Sequence, residues 1–115
     1  MPRQEMPIFT KTYDFLHWLL PATNHFPRSH RYSFTQRLVN TALDLSDHLE
    51  TANARRGTAR QEQLQLADEA LIKLRLYLRL AARWGWLDAG QYRHVAEMMN
   101  EIGRLLGGWQ KVKTV

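Results

Sequence analysis

The chain has 115 residues, with 16 lysines and arginines against 11 aspartates and glutamates, and it contains no cysteine. This length suits one domain with its own hydrophobic core, and the lack of cysteine excludes a disulfide scaffold, a thiolate zinc site and a cysteine nucleophile. The net charge of +5 favours a polyanionic partner. With neither a signal-peptide core near the N-terminus nor a membrane-length apolar run, we expect a cytoplasmic protein.

Four amphipathic helices are predicted, and the first follows an unstructured lead at residues 1–6. This helix runs from about residue 7 to residue 20 or 24, because Pro21 either ends it or bends it. A basic loop at residues 25–32 follows. The apolar face of the helix is predicted from steps of four and three, widened by neighbours: Phe9, Tyr13, Leu16 and Leu20, with Ile8, Phe15 and Leu19.

The second helix is predicted to begin at Ser33, because Ser33 and Gln36 fit a capping box, in which each side chain bonds to the other residue's free backbone N–H. Gly57 is predicted to end it by taking a positive φ. Its apolar face comprises Phe34, Leu38, Leu45, Leu49 and Ala52, with Thr41 or Ala42 filling the step between.

The third helix is the longest, at about residues 58–84. Thr58 and Gln61 fit a second capping box, and Gly85 is predicted to terminate the helix. Its apolar face repeats at steps of three and four: Leu64, Ala67, Leu71, Leu74, Leu78 and Ala81.

The fourth helix is predicted to follow Asp88, which fits a third capping box with Gln91. Gly103 weakens this helix by about 1 kcal/mol relative to alanine, which indicates a close approach of another helix. The apolar face comprises Tyr92, Val95, Met99, Ile102, Leu106 and Trp109. Together these patterns predict an all-α, antiparallel, up-down-up-down four-helix bundle, a single domain at residues 7–113.

A basic ridge on the third helix is the main functional signal. No acidic residue occurs between Glu69 and Asp88, whereas Arg75, Arg79 and Arg83 step by four and span about 12 Å on one side of the helix. Like charges at this spacing repel, so negatively charged groups must compensate them. The compensation comes either from an anionic partner or from carboxylates on neighbouring helices, with these candidates: Asp44, Asp47, Glu97 and Glu101.

Arginine binds phosphate with two parallel hydrogen bonds, which favours a nucleic-acid site that also includes Lys73. No pattern indicates contacts to base edges, so binding should be directed to the backbone and weakly sequence-selective. A second apolar flank predicts an oligomer interface, and the alternative is a wide core face within one subunit. This flank comprises Ile72, Leu76, Leu80 and Trp84.

The four tryptophans present two interpretations. Trp18, Trp84, Trp86 and Trp109 either pack in cores and interfaces, which is the commoner role, or stack on bases. Stacking is most worth testing at Trp84-Gly85-Trp86, next to Arg83.

Catalytic patterns are weak, and we expect no enzymatic activity, no cofactor and no bound metal. Ser46, Asp47 and His48 are adjacent, so on a helix they point about 100° apart and cannot form a triad. His94 and Glu97 have the spacing of a di-iron motif, but in reversed order and only once.

Several segments, in order, resemble the accessory variability determinant proteins of diversity-generating retroelements. They are Met6-Pro7-Ile8 to Lys11-Thr12-Tyr13-Asp14, Trp18-Leu19-Leu20-Pro21, Phe26-Pro27-Arg28, Lys73-Leu74-Arg75 to Leu80-Ala81, and Glu101-Ile102-Gly103-Arg104 to Trp109. The broader superfamily includes four-helix bundles encoded in intervening sequences of ribosomal RNA. The resemblance covers residues 6–113.

The resemblance implies a homopentameric barrel of four-helix protomers that binds nucleic acid through a basic surface and associates with a reverse transcriptase. It implies a role in mutagenic copying of template RNA into cDNA. The residues carried over are Lys11, Arg75, Arg79 and Arg83, to which we add Arg60, Arg93 and Arg104 as further candidates. Two alternatives stay open: a protein-interaction scaffold with an acidic partner, and a ribosomal-intervening-sequence bundle of another role.

Overall fold

The computed structural model describes residues 6–112, and this part of the chain consists of helices and turns with no strand. Four α-helices are present: α1 at Pro7–Thr23, α2 at Gln36–Ala54, α3 at Gly57–Arg83 and α4 at Ala89–Lys111. Between α1 and α2 the chain forms a 3₁₀ turn at Arg28–His30 and a π-helical turn at Arg31–Thr35. The predicted all-helical class with four helices is confirmed.

The helices form a bundle around one apolar core. Helix α1 packs against α2 and α4, and α3 packs against the same two helices. Phe9 at the start of α1 meets Trp109 near the end of α4, with ring centroids 5.9 Å apart. Trp18 meets His94 near the start of α4, at 5.7 Å. The largest fully buried side chains come from all four helices: Phe15, Leu19, Leu38, Leu45, Leu49, Leu64, Leu74, Leu78, Val95, Met99, Ile102 and Leu106.

The apolar face of α1 was predicted in part incorrectly. Tyr13 and Leu20 are exposed, and the buried positions are Ile8, Phe9, Thr12, Phe15, Leu19 and Ala22. Two series at helical spacing run along this helix, and the buried one includes Thr12. The Thr12 hydroxyl lies in the core with no hydrogen-bond partner among residues 6–112. Because threonine is polar, the apolar pattern did not include this buried position.

Pro21 lies inside α1, which continues two residues further and ends at Thr23. Proline cannot donate a backbone hydrogen bond, but the last turn has other donors: the Thr23 hydroxyl donates to the Leu20 carbonyl at 2.8 Å and the Asn24 N–H donates to the Pro21 carbonyl at 3.2 Å. The longer of the two predicted helix lengths is therefore the one observed.

Only one of the three predicted capping boxes forms. The Gln91 N–H donates to Asp88 Oδ1 at 2.7 Å and the Asp88 N–H donates to Gln91 Oε1 at 2.9 Å, so the start of α4 is confirmed. The box predicted at Ser33 and Gln36 is wrong, because Ser33 lies in the π-helical turn and its hydroxyl donates to the His30 carbonyl.

The capping box predicted at Thr58 and Gln61 is also wrong. Helix α3 begins one residue earlier, at Gly57, and Arg56 is its N-cap without a side-chain hydrogen bond. Gly57 takes the predicted positive φ, +56°, but it starts α3 instead of following directly on α2. Gly85 has φ +79° and ends α3 as predicted.

The two chain ends lie mainly outside the described residues. This applies to residues 1–5 of the predicted lead and to residues 113–115 of the tail, whereas Met6 is the N-cap of α1 and packs against the core. None of the described helices is long and apolar enough to cross a membrane.

Candidate nucleic-acid interface

The basic ridge lies on the exposed part of α3, next to the groove between α3 and α4. Arg75, Arg79 and Arg83 are all exposed. Arg75 and Arg79 line a groove of about 200 Å³ together with Tyr92 and Asn100 of α4. Two of the three ridge arginines therefore border the groove between α3 and α4, whereas Arg83 is not part of its lining.

Arg75 is held by α4 through neutral groups. Its Nη1 donates to Asn100 Oδ1 at 2.9 Å, and its Nη2 donates to the Met99 carbonyl at 3.2 Å. A Cβ at Gly103 would lie 2.7 Å from Arg75 Nη2, so glycine makes room for the guanidinium. The predicted close approach at Gly103 is thus the Arg75 side chain of α3. These contacts orient Arg75 but leave its charge uncompensated.

Lys73 and the two remaining arginines of the ridge have no partner among the described residues. Within residues 6–112, the side chains of Lys73, Arg79 and Arg83 form neither an ion pair nor a hydrogen bond. The carboxylates of Asp44, Asp47, Glu97 and Glu101 likewise do not reach the ridge. The intramolecular explanation for the ridge therefore fails for these three cations, because nothing in this part of the protein neutralises them.

Lys11 and Arg104 lie in acidic surroundings. Arg104 forms a two-point ion pair with Glu101, at 2.7 Å and 3.1 Å. Lys11 lines the groove between α1 and α4 with Asp14, Glu97 and Glu101. Arg104 lowers the pKa of the Glu101 carboxyl mainly through its hydrogen bond, and Lys11 acts in the same direction. Glu101 in turn raises the pKa of Arg104.

The two remaining basic candidates, Arg60 and Arg93, differ in their surroundings. The Arg60 guanidinium lies over the Trp109 ring, 5.8 Å from its centroid, and its Nε donates to the Ala52 carbonyl at 3.0 Å. Arg60 is therefore engaged in packing α3 against its neighbours. Arg93 is exposed on α4.

The second apolar flank of α3 is not part of the protomer core. Ile72 is 60% exposed, Leu76 is 43% exposed and Trp84 is 48% exposed, whereas Leu80 is half-buried. A wide core face within one subunit therefore does not account for Ile72, Leu76 and Trp84. These side chains give one protomer an apolar strip beside the ridge.

The tryptophans mainly pack. Trp86 contacts Phe26, His30 and Phe34 with centroid distances of 5.3–5.6 Å. Trp84 contacts Phe34 edge-on at 5.1 Å, although about half of its surface stays open. These rings join the end of α3 to the connection between α1 and α2.

This junction is not predictable from the sequence alone. Residues 15–43 also contain no acidic residue, and the contacts of Phe34 and His30 bring this stretch beside the end of the ridge. The exposed residues of the connection include Arg28, Arg31 and Tyr32. The absence of acid in both stretches was visible in the sequence, but their proximity depends on long-range packing.

The residue types of a catalytic triad are not assembled. His48 Nδ1 lies 3.0 Å from Gln63 Oε1 and so links α2 to α3. Among residues 6–112 no group of three histidines, aspartates or glutamates could hold a metal ion.

The fold and its basic ridge place this chain in the class of four-helix bundles with an exposed basic surface. Comparison with known protein families then identifies the family. The chain belongs to the bAvd-like family, whose model matches residues 6–113. The resemblance to accessory variability determinant proteins is thereby confirmed. A comparison with curated proteins finds no significant match.

One solved structure shares the fold. It is a protein of unknown function from the S23 ribosomal protein family of Bacteroides thetaiotaomicron, with a TM-score of 0.81 at 14% sequence identity. The match covers 91% of this chain and 96% of that one. At this identity the likeness concerns the fold alone.

Proposed function

We propose that this protein is a non-enzymatic accessory protein of a diversity-generating retroelement. It binds template RNA or cDNA through the basic ridge of α3 and associates with the element's reverse transcriptase in the cytoplasm, supporting mutagenic retrohoming. Membership of the bAvd-like family supports the accessory role. The nucleic-acid partner is supported by the ridge itself.

The observation that carries the proposal is the unpaired charge of Arg79 and Arg83. Both guanidiniums are exposed and have no partner within residues 6–112. An unpaired guanidinium offers two parallel N–H groups to a phosphate, and binding releases counterions from the nucleic acid. Arg75 adds a third positive charge at one-turn spacing, which suits a repeating polyanion better than a small ligand.

Salt dependence tests this proposal directly. About four phosphate contacts per protomer should lower the affinity roughly a hundredfold between about 50 and about 200 mM salt. The affinity is measured by fluorescence anisotropy with a labelled 20-nucleotide RNA and a 20-base-pair DNA. An affinity that does not change with salt would contradict the proposal.

A charge-reversal pair locates the site. Arg79→Glu/Arg83→Glu should reduce the affinity at least thirtyfold, because two phosphate contacts become repulsive. The matched control is Arg55→Glu/Arg56→Glu, which makes the same charge change at exposed positions about 40 Å away, at the start of α3. Equal losses in both variants would show a general charge effect and contradict a site on the ridge.

A carboxylate-rich polypeptide distinguishes a nucleic-acid site from a protein-interaction scaffold. Poly-glutamate of the same charge as the RNA should compete weakly, because guanidinium and phosphate also match in geometry. If poly-glutamate binds as tightly as the RNA, the basic surface is not selective for nucleic acid and the proposal fails.

We further propose that the four helices are antiparallel and that protomers assemble into a homo-oligomeric barrel, a pentamer by family resemblance. The contacts of Phe9 with Trp109 and of Trp18 with His94 support the antiparallel order. The exposed strip with Ile72 and Leu76 supports assembly, since a monomer gains nothing from it.

Sedimentation tests the assembly. At micromolar concentration the mass should be a multiple of 13.5 kDa, and the monomer mass alone would contradict the proposal. Leu76→Lys should shift the distribution towards the monomer. Leu43→Lys is the matched control, because Leu43 is 44% exposed on α2 and Leu76 is 43% exposed on α3.

The reverse-transcriptase partner is tested first in the genome. A reverse-transcriptase gene and a variable repeat should lie beside the gene for this protein. Co-purification of the two expressed proteins then tests binding, with Leu76→Lys and Arg79→Glu/Arg83→Glu separating the apolar from the basic surface. A locus with neither element would contradict this part of the proposal.

A further inference from the structure

The corner between α1 and α2 has a backbone shape of its own. The chain forms a 3₁₀ turn at Arg28–His30 and then a π-helical turn at Arg31–Thr35 before α2 begins. π-Helical turns are rare and recur at functional sites. Aromatic contacts attach this corner to the residues that follow α3. The His30 ring stacks on Trp86 at 5.3 Å, and the Phe34 ring contacts Trp84 and Trp86.

Tyr32 lies on this corner and is 83% exposed, the highest value among the exposed large hydrophobic side chains of the described residues. Within residues 6–112 its ring has no aromatic neighbour and its hydroxyl has no hydrogen bond. The Tyr32 ring is therefore available as a stacking surface, and it is presented by a backbone that aromatic contacts already hold in place. Packing of the bundle does not require this side chain.

Tyr32 separates two cavities. On one side is a pocket of about 320 Å³ whose lining includes the apolar side chains of Phe26 and Val39. Its polar groups include amides of the kind that bind nucleobase edges: Asn24, Gln36 and Asn40. On the other side a more open groove of about 720 Å³ leads to α3.

The charge around the corner favours a polyanion. Arg28, Arg31 and Arg37 are exposed, and none of them forms an ion pair within the described part of the chain. Asp88 is engaged as the N-cap of α4, and Asp44 lines the α2 side of the open groove. The pocket with Arg31 contains no carboxylate.

We propose that this corner binds an unpaired nucleobase of single-stranded nucleic acid. Tyr32 stacks on the base, Arg28 and Arg31 bind the adjoining phosphates, and the polar groups of the pocket receive the base edge. The inference rests on the proposed nucleic-acid binding, to which it adds a base contact separate from the backbone contacts of the ridge. It predicts a preference for single strands over duplexes, because paired bases cannot reach Tyr32.

The experiment compares Tyr32→Ala with Tyr32→Phe by fluorescence anisotropy. The probes are labelled 20-nucleotide oligo(U), oligo(dT) and a 20-base-pair duplex. Tyr32→Ala should weaken single-strand binding about tenfold and change duplex binding less than twofold, whereas Tyr32→Phe keeps the aromatic face and should retain the affinity. A loss with only one oligonucleotide supports the proposal and identifies the preferred sugar.

Two further readouts test the same contact. A 2-aminopurine base in the strand should lose fluorescence on binding the wild-type protein and lose less on binding Tyr32→Ala. Arg31→Ala provides an independent variant, and it should weaken single-strand binding several-fold. Thermal unfolding should be unchanged in Tyr32→Ala, because the ring packs on no other ring.

The outcomes separate this inference from the proposed function. If Tyr32→Ala binds single strands like the wild type while Arg79→Glu/Arg83→Glu loses binding to both forms, the base site is wrong and the ridge stands. If the wild type binds no nucleic acid, both proposals fall. If Tyr32→Ala changes the sedimentation mass, Tyr32 is a subunit contact, and the base site is overturned.

Discussion

Two pairs of basic residues on this bundle have opposite surroundings. On α3, Arg79 and Arg83 have no partner within residues 6–112. In and beside the α1–α4 groove, Arg104 is paired with Glu101 and Lys11 lies among carboxylates. An ion pair on the surface already satisfies the guanidinium that a phosphate would need. Unpaired charge, and not the number of positive residues, is therefore the basis on which we place the proposed polyanion site.

The largest predicted effect on nucleic-acid affinity comes from reversing the charge of each pair of basic residues in turn. Arg79→Glu/Arg83→Glu should lower nucleic-acid affinity at least thirtyfold, whereas Lys11→Glu/Arg104→Glu should lower it less than fivefold, because the second pair lies in a region that carboxylates already make unfavourable to phosphate. Anisotropy at about 100 mM salt measures both. Similar losses would remove the distinction between paired and unpaired cations.

Salt slopes give the next largest difference. Each phosphate contact contributes about 0.9 to the slope of log affinity against log salt concentration for duplex DNA. Arg79→Ala/Arg83→Ala should thus reduce the slope by about 1.8. Lys11→Ala/Arg104→Ala should leave it unchanged, and a reduction of one or more in that variant would place a phosphate contact in the α1–α4 groove.

Gly103→Ala should release the Arg75 guanidinium from its hydrogen bonds to Asn100 and Met99. Replacing glycine with alanine in a helix normally stabilises it by about 0.5–1 kcal/mol. At Gly103 the new methyl group displaces the Arg75 guanidinium and breaks its hydrogen bonds, so this gain in stability should vanish. Gly107→Ala is the control, because a Cβ there meets nothing within 4 Å.

Two measurements follow Gly103→Ala. Thermal unfolding should show Gly107→Ala to be the more stable variant, and the salt slope of Gly103→Ala should differ from that of the wild type by less than about 0.9, since Arg75 belongs to the proposed phosphate-binding ridge in both. Equal stability of the two variants would show that Arg75 does not need the space that Gly103 leaves.

The smallest predicted effect concerns the pKa of Glu101. Arg104 holds this pKa below its ordinary value, so the ion pair contributes to stability above the unfolded-state pKa and is lost as the pH falls through the folded-state pKa. Arg104→Ala should raise the pKa of Glu101 towards its ordinary value, as measured by NMR titration of the side-chain carboxyl carbon. Lys11→Ala should raise it less, and an unchanged pKa in Arg104→Ala would exclude the pairing.

The sequence predicted most of the core because burial follows residue spacing. The α4 face with Val95, Met99 and Ile102 is buried as expected, and the Asp88 capping box forms because both partners are local. On α1 the prediction failed at Tyr13 and Leu20, since two apolar series fit the same period and Thr12 disguised the buried one. The ambiguity is resolved by packing against other helices, which periodicity does not contain.

The candidate site was predictable only in its local part. The spacing of Arg75, Arg79 and Arg83 follows from helical geometry, and Gly103 correctly indicated a close neighbour. The partner of Arg75 and the position of Tyr32 could not be predicted. Both depend on how distant segments meet, and the π-helical turn has no residue signature as clear as a capping box.

The length of the ridge limits what one copy can hold. From Arg75 to Arg83 it extends about 12 Å, whereas successive phosphates on one duplex strand advance about 3.4 Å along the helix axis, so the footprint proposed for one copy is at most three or four phosphates. A long strand can be held more tightly than this only by touching several copies at once, with each new contact made at a high local concentration. In the proposed assembly, avidity set by the number of copies along the strand would control how firmly the strand is held and how readily it is released.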